Sequence, residues 1–229
     1  MNRIVRILIV DDSAYVRKVI RQMLSRSPFL EIVGAARDGR EALEMAEELR
    51  PDVVTCDLIM PEMDGVGFIK AQMARRPVPI VVVSVASESG ELVLSALDAG
   101  AVDFVQKPTA LATDRVFEIA DELIEKVKGA AAARPVISRD ILPQAIARPA
   151  AARSVDIVVI GISTGGPQAL KMLIPRLPAE LPVPIAIVLH MPVGYTELYA
   201  RKLNEQSALN VLESQGGELV TKGDRKSVV

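Results

Sequence analysis

Tryptophan is absent from the 229-residue chain, and cysteine and histidine occur once each. The lone Cys56 excludes an intrachain disulfide and fits a reducing compartment. Any imidazole chemistry falls to His190. A surplus of charge is missing too: the net charge of -2, with arginine and lysine scattered among acids, gives no electrostatic reason to expect nucleic acid or an anionic membrane as partner. Long apolar runs free of charge and proline are also lacking, and Arg3 and Arg6 interrupt the first apolar stretch. Neither a secretory leader nor a bilayer span is expected, so the sequence reads as cytoplasmic. What is present is ordinary globular composition, 50% hydrophobic and 24% charged, on a chain long enough for one large or two small domains.

Short apolar runs alternate with segments of helical period from the start: Ile4 to Val10, Ala14 to Arg26, Ile32 to Ala35, Glu41 to Leu49, and Val53 to Cys56. The series continues around Ile69, then Ile80 to Val85, Leu92 to Ala99, Phe104 to Val105, and Val116 to Val127. Strict alternation with short connections predicts an α/β fold in which five parallel strands are covered by helices, with ligands at the carboxyl ends of the strands. At those ends stand Asp11-Asp12, Asp57, Ser84 and Lys107-Pro108. Three converging carboxylates repel one another unless a divalent cation neutralises them, and an all-oxygen set suits Mg²⁺. A lysine and a hydroxyl beside them can cradle a phosphoryl group, with a carboxylate as nucleophile. Singly, each residue has a plainer reading, Asp12 and Ser13 as a helix cap and Lys107 as a surface lysine. Their joint occurrence at the ends of four strands argues against it.

This stretch resembles the receiver domain of bacterial response regulators, on Asp11-Asp12, Asp57 within Cys56-Asp57-Leu58-Ile59-Met60-Pro61-Glu62-Met63-Asp64-Gly65, Ser84, Lys107-Pro108, and Phe104 three residues before the lysine. The resemblance implies that Asp57 accepts phosphate from a histidine kinase. It implies that Asp12, Asp57 and the carbonyl of Ile59 hold Mg²⁺ with Asp11 in support. Ser84 and Lys107 would contact the phosphoryl oxygens, and Phe104 would change rotamer as Ser84 moves. The expected domain covers residues 1–128, and an alanine-, proline- and arginine-rich connection follows over 129–153.

Residues 154–229 open a second α/β segment. The run Asp156 to Ile160 predicts a buried strand, Gln168 to Leu173 a helix, and Gly161-Ile162-Ser163-Thr164-Gly165-Gly166-Pro167 between them a turn that exposes a serine. Glycines spaced this way also come close to a dinucleotide-binding loop, but that site wants an acid at the end of the next strand. His190 stands there, after Ile185 to Leu189. A serine hydroxyl needs a neighbouring base to become a nucleophile, so the pair has a chemical reason to coexist.

These residues, with His190-Met191-Pro192, look like the catalytic domain of the chemotaxis protein-glutamate methylesterases, a family that joins a receiver to an esterase. The resemblance implies that Ser163 attacks methyl esters of receptor glutamates with His190 as base, that glutamine deamidation is a second activity, and that the unphosphorylated receiver covers the esterase cleft. The partners it implies are a chemotaxis kinase and methyl-accepting receptors. The family's third catalytic residue, an aspartate in a later glycine-rich turn, has no counterpart here. After Lys222-Gly223 the chain reads Asp224 to Val229 where a hydrophobic strand is expected, and Leu189 replaces a glutamine. Asp224 and Glu197 are the nearest substitutes, and the site is read without a third acid. The second domain is therefore expected to be incomplete and its esterase impaired, since loss of a triad acid alone costs on the order of 10⁴ in serine proteases. The alternative is a non-catalytic receiver module that acts by protein contact. Residues Val211 to Val220 predict an antiparallel pair about a glycine turn.

Overall fold

The apolar runs of the first half are β-branched and short, and in the computed structural model they become strands. The structure describes residues 3–85, 90–107, 115–132, 155–179, 181–192, 194–217 and 226–228. Strands β1 (Val5–Val10), β2 (Leu30–Ala36), β3 (Val53–Cys56), β4 (Ile80–Val85) and β5 (Asp103–Lys107) form one parallel sheet in the order β2-β1-β3-β4-β5. Helices α1 (Ala14–Leu24), α2 (Gly39–Leu49), α3 (Gly65–Arg75), α4 (Gly90–Ala99) and α5 (Arg115–Ala132) alternate with them. The expected five-stranded α/β domain is thus observed, with the order of strands reversing between β1 and β3.

Alternate residues of β1 serve opposite faces. Ile7 and Ile9 join Ile20, Met23 and Leu24 of α1 and Leu123, Ile124 and Val127 of α5 in one buried cluster. Leu8 lies beside Met45 and Leu49 of α2 at Gly34, where a Cβ would stand 2.6 Å from a Leu49 methyl. Helix starts are capped by short polar side chains, as their positions predict. Asp38 accepts from the Arg40 and Glu41 amides, and Asp64 from Gly67. Ser13, read as a possible cap, does accept from Val16. Helix α5 runs to Ala132, four residues into the stretch expected as connection; residues 133–153 lie outside those described.

Chain contacts separate a second compact unit. Its strands β6 (Val158–Ile162), β7 (Ile185–Leu189), β8 (Asn210–Leu212) and β9 (Lys226–Val228) form a parallel sheet in the order β6-β7-β9-β8. Helix α6 (Gly166–Leu173) follows β6, and α7 (Thr196–Glu205) follows β7. The amide of Val211 donates to Asn204 Oδ1, which fastens the start of β8 to α7. The antiparallel pair expected over Val211 to Val220 has its second strand on residues 218–220, which lie outside those described. Gly216 and Gly217 have left-handed φ of 85° and 87°, and β8 pairs in parallel with β9, a strand that the polar sequence after Gly223 does not predict. Ile157 and Val159 near and on β6, and Val188 on β7, face solvent, Val159 and Val188 each at 65% exposure. Among the described residues no helix is long and apolar enough to cross a membrane.

Candidate functional site

Register brings the first site together. Val10 pairs with Cys56, so the residues that follow, Asp11 and Asp57, emerge side by side from β1 and β3. The Asp57 amide donates to the Val10 carbonyl, and the Asp11 amide to that of Ala36. One ligand oxygen from each of Asp11, Asp12 and Asp57 falls within a 4.8 Å group. Lys107 closes the group from β5, its Nζ 2.7 Å from Asp57 Oδ2 and 2.8 Å from Asp11 Oδ2. Asp57 Oδ1 accepts from the Leu58 amide at 2.8 Å, and Asp11 Oδ1 from Ser13 at 2.9 Å.

Burial decides the electrostatics. Asp11 is fully buried and its carboxyl is pushed above the ordinary range, chiefly by desolvation; the Lys107 ammonium opposes this and the Asp57 charge adds to it. Desolvation pulls Lys107 down, yet the two carboxylates outweigh it and hold the ammonium above its usual value. Asp12 is exposed and opens the cluster to solvent. An all-oxygen, partly open donor set of this charge fits Mg²⁺.

The remaining expected residues lie on β4, on and after β5, and in the loop after β3. Ser84 is buried near the end of β4, opposite Gln106, and its hydroxyl donates to the Val85 carbonyl at 3.4 Å. Among the described residues no hydrogen bond joins it to the carboxylates. Phe104 is buried opposite Val82 on β5. Ile59 lies exposed in the loop after β3, and Pro108 falls outside the described residues. Two further residues were not singled out. Arg17 donates to the carbonyls of Asp11 and Asp12 at 2.6 and 2.9 Å, and an arginine on a helix gives no local sign of that. At Gly65, a Cβ would sit 2.1 Å from the Asp57 carbonyl oxygen, so only glycine lets α3 start this close to the acidic centre. The Asp64-Gly65 pair before a helical run was the available signal.

The second site is set by β6 and β7. Ile162 pairs with Leu189, and the His190 amide donates to the Ile162 carbonyl at 3.3 Å, so Ser163 and His190 follow the last paired residues of adjacent parallel strands. Both are exposed. Gly165, at φ 79°, supplies the left-handed residue that turns the chain into α6. Of the substitute acids, Glu197 pairs with Arg201 on the surface of α7, and Asp224 is outside the described residues.

Comparison with known proteins agrees with both halves. Residues 7–117 match the response regulator receiver domain family, and residues 158–225 match the CheB methylesterase family. A protein-glutamate methylesterase/protein-glutamine glutaminase of Myxococcus xanthus is 51% identical over 220 residues, which are 93% of this chain and 62% of that one. A protein of the same name from Symbiobacterium thermophilum is 42% identical over 240 residues, 97% of this chain and 66% of that one. The chain therefore spans somewhat less than two thirds of the length of these relatives. The crystal structure of the response regulator domain of Thermotoga maritima CheB is 40% identical and superposes with a TM-score of 0.54, covering 58% of this chain and all of that one. The chain belongs to the response regulators, its receiver domain being followed by a segment of the CheB methylesterase family.

Proposed function

We propose that the chain accepts phosphate on Asp57 from a histidine kinase and that this event governs a carboxylic-ester hydrolase centred on Ser163. The observation that carries the receiver half is the contact of Lys107 with Asp57 and Asp11 at 2.7 and 2.8 Å. An Asp57 carboxylate oxygen attacks the phosphorus of the donor, a new O–P bond forms as the donor bond breaks, and the Lys107 ammonium neutralises charge on the phosphoryl oxygens. Asp12 and Asp57, with Asp11 and the Ile59 carbonyl, would hold Mg²⁺, which when bound offsets carboxylate repulsion and phosphoryl charge. Ser84 is the second phosphoryl contact, and Phe104 the aromatic that follows its movement.

In the esterase half, His190 takes the hydroxyl proton as Ser163 Oγ attacks the γ-carbonyl carbon of a glutamate methyl ester, and returns it to the departing methanol. Water then attacks the acyl-serine with His190 again as base, giving free glutamate and restored serine. With glutamine as substrate the same sequence releases ammonia. Likeness to the named relatives and the placement of Ser163 and His190 at adjacent strand ends support this assignment. Chemotaxis receptors are the substrates that those names suggest, and the cytoplasm is where kinase and receptor ends would meet it.

The test uses a small phosphodonor and a methyl-esterified receptor. Asp57 is expected to carry base-labile phosphate in a Mg²⁺-dependent manner, and ester hydrolysis to rise on phosphorylation and vanish in Ser163→Ala. Base-labile phosphate at the normal rate in Asp57→Asn would overturn the receiver assignment. Phosphorylation with no detectable hydrolysis would leave a module that acts by protein contact.

A further inference from the structure

Lys126 lies on the inner side of α5 with 3% of its side chain exposed, and neither proposed site uses it. An ammonium has three protons to place, and here each has an oxygen: Asp103 Oδ1 at 3.0 Å, the Phe104 carbonyl at 2.7 Å and Glu122 Oε1 at 3.2 Å. The same nitrogen stands 5.5 Å from the centroid of the Phe104 ring, within cation–π range. Asp103 Oδ1 also accepts the Phe104 amide at 2.8 Å. One buried ion pair thus holds both backbone groups of Phe104 and faces its ring.

Stability alone does not account for this arrangement, because well-packed apolar residues usually serve a core as well as a buried ion pair does. Strand topology offers a reason. In the sheet β5 is the outermost strand, bonded to β4 on one side only. The Asp103–Lys126 pair engages the Phe104 amide and carbonyl and so fastens this edge strand to α5. Three residues further along the strand is Lys107. Its ammonium must reach Asp57 and Asp11, on β3 and β1, from a strand separated from β3 by β4. A sideways drift of β5 moves that ammonium directly.

We infer that Lys126, through its pairing with Asp103, is a positioning residue that fixes β5 so that Lys107 meets the phosphoryl group at Asp57. This rests on Asp57 being the phosphate acceptor. Because the carboxylates that would take Mg²⁺ sit on β1 and β3, the role predicts a split: phosphorylation depends on the clamp and Mg²⁺ affinity does not.

The experiment measures the rate of Asp57 phosphorylation by acetyl phosphate and the Mg²⁺ dissociation constant by calorimetry on the full chain. In the neutral double variant Asp103→Asn/Lys126→Met, which strands no buried charge, phosphorylation is expected to slow about tenfold through misplacement of Lys107 while Mg²⁺ affinity changes less than about twofold. Lys126→Arg keeps the charge opposite Asp103 and is expected to stay within about threefold of wild type. An unchanged phosphorylation rate in the double variant overturns the inference, as does a parallel loss of rate and Mg²⁺ affinity in both variants, which would mark plain structural damage. Failure of the wild-type chain to take phosphate would instead sink the proposed function.

Discussion

Cys56 shows how far a single position depends on its surroundings. The thiol is fully buried, and burial, followed by the charges of Asp57 and Asp11, pushes its titration well above the ordinary value. It is expected to resist thiol reagents at pH 8 in the folded protein and to react only as the domain unfolds, which Ellman titration along a urea gradient reads directly. Asp103 gives a pH dependence with a definite sign. Desolvation raises its carboxyl above 3.8, against the pull of Lys126. The folded state therefore binds more protons than the unfolded one between those two values, and the contribution of Asp103 to stability declines as pH rises from 3.8 through the raised folded value. Melting temperatures across that acid window should lose this slope in Asp103→Asn. At this scale Asp11, Asp12, Asp57 and Lys107 were legible in the sequence because each stands at the end of an apolar run. Arg17 and Lys126 were not, because a cation on a helix looks the same whether it faces water or a carbonyl oxygen.

Elements were legible in proportion to how much of their burial is local. Strand β7 was read to the residue, since Ile185 to Leu189 is continuously apolar. Strand β5 was read as Phe104 and Val105 alone, because Asp103, Gln106 and Lys107 are polar residues held in the ladder by pairing with β4. Helix α3 was visible only around Ile69. It begins Gly65-Val66-Gly67 and buries Gln72, whose amide donates to the Arg76 carbonyl, so its sequence carries a weak apolar period. The three-residue strands β8 and β9 pair across a long stretch of chain, which no local spacing encodes. Two substitutions test the elements. Gly65→Ala forces α3 away from the Asp57 carbonyl and should cost about 2–4 kcal/mol in urea unfolding, with Mg²⁺ affinity falling alongside. Asp38→Ala removes the acceptor of two amides at the start of α2 and should cost about 1 kcal/mol without touching Mg²⁺ affinity.

For the molecule as a whole, the two compact units are expected to respond separately to the cation. At a hundredfold excess over its dissociation constant, Mg²⁺ should stabilise the receiver by about 2.7 kcal/mol and raise its melting temperature by about ten degrees. A second calorimetric transition that does not move with Mg²⁺ would belong to the unit around Ser163 and His190. That unit also presents water with the apolar stripe of Val159 and Val188, on the kind of parallel sheet that proteins usually cover on both faces. Such a stripe makes the molecules attract one another, so the second virial coefficient measured by light scattering should be negative in moderate sulfate. Threonine at both positions should move it toward zero. The colloidal behaviour of a solution of this protein would then be governed by two valines far along the sequence from the aspartate proposed to take the phosphate.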